Sequence, residues 1–264
     1  MSEKGGFLVI PSGSRPGARI HFLDEVRGFD LILMVFFHAF YVIGYLFKYS
    51  WGAWLFQFFN PAEPFFAGLF IFICGISCRL SHSNWKRGGL LALVAVGMSL
   101  FLYLFMREEM IWFGVLHFLA VSILLFALLR PLLDRIPPWA GLIGSALLLL
   151  LTWWVPVYRG SMLGIKGLFG TDIPGWLVDI PALYPLGLGA GEGADYFPLL
   201  PWFFCFLGGS FVGVWAKQNR FPRWMYVSRL PWLSWLGRHT LVIYVLHQPV
   251  VFGLCWLFVA LFQH

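Results

Sequence analysis

Long runs without a charged side chain set the first limit on how this sequence can fold. Residues 88–106, 110–129 and 239–264 contain no Lys, Arg, Asp or Glu, and each is predominantly apolar. About 20 such residues, rising 1.5 Å each, span the roughly 30 Å hydrocarbon layer of a bilayer. The whole chain of 264 residues is 60% hydrophobic and 11% charged, with a mean hydropathy of +0.80. Ordinary soluble domains carry about 25% charged residues. No water-facing core absorbs so much apolar surface, so the expected fold is all-α, a polytopic membrane helical bundle of about seven transmembrane helices.

Charged residues bracket the expected spans at Leu31 to Phe47, Pro64 to Cys78, between Arg87 and Arg107, and between Glu109 and Arg130. Three more follow Arg135 as far as Val155-Pro156, run from Tyr196 to Ala216, and run from about His239 to Phe262. Fourteen of the 18 basic residues fall in the first tail and one set of loops, and four in the other set. Such asymmetry marks the cytoplasmic side, predicting a cytoplasmic N-terminus and an outer C-terminus in a multi-pass protein of the cell inner (plasma) membrane. Residues 1–19 read as a mobile cytoplasmic tail and 20–264 as one transmembrane domain, with a long outer loop at about 156–194 rich in glycine and proline. Basic residues placed in loops beside apolar spans do not point to nucleic acid. Cys74, Cys78, Cys205 and Cys255 lie in apolar stretches, which suits packing and predicts neither a disulfide framework nor zinc.

Three histidines fall near mid-membrane depth. His38 lies eleven residues past Arg27, about 16 Å along a helix and on the same face. His117 lies about 12 Å beyond Glu109, and His247 about 13 Å beyond Arg238. Ionisable groups at that depth are costly and normally face protein or a wet cavity, so each is a candidate site. Each could instead bond a neighbouring carbonyl or tyrosine and hold helices together. A three-histidine metal site would want supporting carboxylates, and none is near in sequence, so no metal is expected. Thr240, Tyr244 and His247 form one helical stripe, and Pro249 should kink that helix and free the Val245 carbonyl beside Gln248. Asp195, before Pro198 and Trp202, reads either as a helix cap or as an acid facing a substrate. Arg79, Lys86, Arg87, Arg223, Arg229 and Arg238 make a basic inner mouth that would suit a phosphate-bearing donor.

Leu23-Asp24-Glu25-Val26-Arg27-Gly28, Phe113-Gly114-Val115-Leu116-His117, Asp195 to Trp202, and Gly237-Arg238-His239-Thr240-Leu241 leading to His247-Gln248-Pro249 occur in this order. Together they resemble bacterial members of the heparan-alpha-glucosaminide N-acetyltransferase catalytic-domain family, from about Arg19 to Pro249. The resemblance implies a transmembrane acyltransferase that moves an acetyl group from cytoplasmic acetyl-CoA to an amino or hydroxyl group of a sugar outside. The implied partners are the CoA thioester, a glycan or amino-sugar acceptor of the cell envelope, and the lipid bilayer, with room for a homodimer along aromatic-rich spans. His38 is the expected base, His247 or His117 its orienter or oxyanion donor, and Asp195 an acceptor-side acid. Arg27, Arg79, Arg87 and Arg238, with Tyr244 and Gln248, are the expected donor-binding groups. Three departures stand out: Tyr49 lies where the lysosomal relative has a loop histidine, His38 lies where it has asparagine, and fewer helices are expected here. A proton-coupled transporter or flippase using the same histidines is the alternative.

Overall fold

The computed structural model describes residues 19–189 and 195–262. The expected first tail therefore lies almost wholly outside the described residues, as does the end of the long loop. Among the described residues the elements run α1 (His21–Tyr41), a π-helical turn (Val42–Leu46), α2 (Ser50–Phe59), α3 (Glu63–Leu80), α4 (Asn84–Phe105), α5 (Val115–Leu133) and α6 (Pro138–Thr152). There follow a hairpin of β1 (Met162–Ile165) and β2 (Phe169–Asp172), one turn of helix α7 (Gly175–Val178), α8 (Leu199–Lys217), α9 (Pro231–Arg238) and α10 (Thr240–Phe262). Among the described residues six helical stretches are long and apolar enough to cross a membrane, and α6 is a shorter apolar helix of 15 residues. The chain is thus an all-α multi-pass membrane protein.

Two boundaries differ from expectation. The first helix begins ten residues before Leu31, so Asp24, Glu25, Arg27 and Asp30 lie within it rather than ahead of it. The second expected span, Pro64 to Cys78, extends through α2 and α3 as one apolar helical stretch, Ser50–Leu80. Charge bracketing failed at the first place because Asp24, Glu25 and Arg27 find partners within the protein, and at the second because Ser50–Phe59 holds no charge to mark an end. α10 also continues through Pro249.

The chain divides into two compact units, one of residues up to Ala67 with those from Asn219, the other Gly68–Gln218. In the first, α9 lies against the start of α1 at backbone distance. A Cβ on Gly237 would collide with the carbonyl of Asp24, and one on Gly28 with the carbonyl of Leu233. Without water to drive helices together, such small-residue approach is how membrane helices gain contact. Glu25 completes the joint, its Oε1 accepting from the Arg229 and Leu230 amides at 2.7 and 2.9 Å and from Ser228 Oγ at 3.2 Å. Those two amides precede α9, so one carboxylate satisfies donors that would otherwise need water. Further along α1, stacked Phe37 and Phe56 (4.6 Å) and Phe40 and Phe59 (5.8 Å) hold α2.

In the second unit α3, α5, α6 and α8 surround Ile71, Phe118, Ile123, Phe126 and Phe206, all almost fully buried. Arg79 is 4% exposed; it donates through Nε to the Ser210 carbonyl at 3.1 Å, pairs with Asp134, and lies 4.9 Å over the Phe126 ring. The described residues of the segment expected as a long outer loop include the β1–β2 hairpin and Tyr184, whose ring stacks on that of Tyr196 at 4.4 Å. Tyr196 Oη donates to the Tyr184 carbonyl. Burial, and then the neighbouring Tyr184 and Tyr158, push the Tyr196 phenol above its usual range, so it stays a neutral donor.

Candidate functional site

α1 and α10 of the first unit each carry one imidazole on an inward face, and their rings lie 5.1 Å apart at 52°. His247 is 6% exposed, and its Nδ1 sits 2.6 Å from the carbonyl oxygen of Tyr244, one turn back in its own helix. A carbonyl only accepts, so Nδ1 carries the proton and Nε2 keeps its lone pair. That Nε2 is buried and has no hydrogen-bond partner. His38 presents the opposite tautomer. The Gln248 amide Nε2 donates to His38 Nδ1 at 3.3 Å, which leaves the His38 proton on its own Nε2. Tyr244 is buried, with its ring 5.5 Å from that of His247. The pair thus offers one nitrogen that takes a proton and one that donates a hydrogen bond.

Chain order explains why these groups meet. α9 fixes Gly237 beside Asp24, and Thr240 Oγ1 donates to the Gly237 carbonyl at 2.8 Å, starting α10 there. From these anchors His247 is ten residues along and His38 fourteen, a difference of about one helical turn (~6 Å), which leaves the two rings within contact of each other. Arg27 and Arg238 belong to the same unit. Arg27 is half-buried and pairs with Asp24 at 3.4 Å, and Arg238 is exposed at the end of α9.

The remaining expected residues belong to the second unit. His117 Nε2 lies 3.1 Å from Ser99 Oγ, which itself donates to the Ile111 carbonyl at 2.8 Å. Ser99 therefore accepts from His117 and is not activated as a nucleophile; the buried Nδ1 of His117 has no hydrogen-bond partner. Asp195 adopts a left-handed backbone, φ 60°, and its carboxylate lies beside Gly114, where α5 begins. Phe197 N donates to the Phe113 carbonyl at 3.1 Å, so two of the sequence phrases meet here. A carboxylate at a helix N-terminus is stabilised by the unpaired amides there. Arg87 is exposed and reaches the Ser77 carbonyl at 3.4 Å. The described residues hold no group of three or more His, Cys, Asp or Glu placed to bind a metal.

Asp30 was not expected. It is 3% exposed inside α1, and its Oδ1 has no hydrogen-bond partner. Its signal in the sequence was present, a carboxylate three residues past Arg27, but bracketing treated it as the edge of a span rather than part of one.

The multi-pass helical protein thus brings together a buried imidazole, His247, and a half-buried one, His38, of complementary tautomer. Residues 19–249 match the family model described as heparan-alpha-glucosaminide N-acetyltransferase, catalytic. The chain belongs to that family and is in general terms a transmembrane acetyltransferase. No curated relative and no solved structure matches it.

Proposed function

We propose that the protein takes an acetyl group from acetyl-CoA on the cytoplasmic side and transfers it to an amino or hydroxyl group of a cell-envelope sugar on the outer side. The basic residues gathered in one set of loops support the sidedness and a plasma-membrane location. Family membership supports the donor.

The observation that carries the mechanism is the His247 Nδ1 bond to the Tyr244 carbonyl, which leaves Nε2 as a lone-pair nitrogen. This favours His247 as the base and His38 as the donor, the reverse of the roles expected from sequence. The acceptor N–H or O–H gives its proton to His247 Nε2 as its heteroatom attacks the thioester carbonyl carbon. His38 Nε2–H stabilises the oxyanion that develops, and Gln248 holds His38 in that tautomer. Collapse breaks the carbon–sulfur bond, and the CoA thiolate recovers the proton from His247. Arg27 and Arg238 are assigned to donor phosphates, with Tyr244 lining the imidazole pair. The internal bonds of Arg79 favour a packing role instead, and the place of Asp195 at the start of α5 favours a capping one. In the second unit, the unpaired Nδ1 of His117 makes it a second acid–base candidate.

The test is transfer of labelled acetyl from acetyl-CoA to amino-sugar acceptors by purified protein. His247→Ala should lower turnover by about 10²–10⁴-fold, the usual worth of a positioned base. It should still be thermally stabilised by CoA. Wild-type turnover in that variant would remove His247 from the mechanism. Buried, unpaired Asp30 favours a second reading, a proton-coupled transporter, because such carboxylates often mark proton relays. That reading requires pH-driven flux in proteoliposomes without acetyl-CoA, abolished in Asp30→Asn.

A further inference from the structure

Residues 220–237 form an anchored, cationic and indole-rich strip to which the proposed transfer chemistry assigns no role. Its inner side is locked to α1 by Glu25 and by Gly237, while Phe22 meets Trp224 edge-on at 4.8 Å. Its outer side is open: Trp224, Trp232 and Trp235 are 44%, 57% and 51% exposed, and Arg220, Arg223 and Arg229 are exposed as well. The Arg229 guanidinium lies 5.6 Å over the Trp224 ring. Among the described residues the Arg220, Arg223 and Arg229 side chains pair with no carboxylate. No Asp or Glu occurs anywhere after Asp195.

Placement turns this strip into a surface with a defined partner. α9 packs beside Asp24 and Gly28, near the start of the α1 span, and α10 enters its own span two residues after α9 ends. The strip therefore stands where two spans begin, at the level of lipid headgroups. Indoles favour that level, and amphipathic helices with guanidiniums on the polar side bind anionic lipid there. We infer that the 220–237 strip is a binding surface for anionic phospholipid headgroups, with Arg220, Arg223 and Arg229 contacting lipid phosphate and the three tryptophans seated between acyl chains.

The test uses the full-length protein in nanodiscs of phosphatidylcholine and phosphatidylglycerol at 4:1, with retained lipid counted by native mass spectrometry. The wild type should retain phosphatidylglycerol above its share of the disc by about fivefold, the worth of one cation held near an anionic surface. R220Q/R223Q/R229Q should bring retention back to the disc share, and the matching triple lysine variant should keep most of it. Thermal stabilisation by acetyl-CoA should be unchanged in the glutamine variant. If that variant does not purify, R223Q and R229Q singly must each reduce the enrichment. Enrichment that survives these changes overturns the inference, as does equal loss in K86Q/R135Q, where other exposed cations are removed. Loss of acetyl-CoA stabilisation with lipid retention intact would overturn it too, and would make the strip a site for coenzyme phosphates.

Discussion

At the scale of single residues, the proposed transfer step depends on which ring nitrogen carries a proton. Gln248→Leu removes the amide that donates to His38 Nδ1 at 3.3 Å, freeing His38 to adopt either tautomer. The expected outcome is a fall in kcat of about tenfold, the worth of roughly one neutral hydrogen bond, with KM for acetyl-CoA nearly unchanged. Steady-state kinetics beside His247→Ala check it, since a purely structural role would depress both parameters with protein yield. His38 and His247 were legible in the sequence as isolated imidazoles deep in apolar runs. Their difference in tautomer was not, because a tautomer is set by what lies about 3 Å away. For His247 that neighbour is a backbone carbonyl, which no side-chain pattern announces.

At the scale of elements, the joint between α1 and α9 is the most exacting contact. Gly237→Ala puts a methyl into the Asp24 carbonyl and should cost about 1–3 kcal/mol of stability. Glu25→Gln removes the charge from an acceptor serving three donors and should cost about 1–3 kcal/mol. Thermal midpoints in detergent measure both. The residues concerned stood out as Asp24-Glu25-Val26-Arg27-Gly28 and Gly237-Arg238 on family grounds, and the structure gives Glu25 and both glycines an architectural task. Helix α2 was missed because Ser50–Phe59 holds no charge, and charge was the ruler used to find ends. The ordered segment after α6 behaves in a testable way above neutral pH. Burial raises the Tyr196 phenol, so its folded form holds a proton that the unfolded form releases near pH 10. Its contribution is present below that pH and is lost as pH rises further. The alkaline fall in thermal midpoint should shrink in Tyr196→Phe, with tyrosinate absorbance followed alongside.

At the scale of the whole molecule, apolar composition and the placement of charges were enough to specify a multi-pass helical protein, because lipid leaves the backbone few alternatives. They were not enough to specify how many spans are full length, since α6 has only 15 residues and a bilayer accommodates short helices by thinning. Family membership predicts that acetyl-CoA at about 100 times its Kd stabilises the folded protein by about 2.7 kcal/mol, read as a rise in thermal midpoint. No rise at millimolar acetyl-CoA would separate this chain from its family's chemistry. One bond described above also bears on motion during turnover. The hydrogen on His247 is parked within its own helix, on an oxygen that travels with it, rather than on a neighbouring helix. Rocking of α1 against α10 would leave His247 Nε2 ready while parting Gln248 from His38, so only the His38 hydrogen would have to be placed afresh when the rings close again.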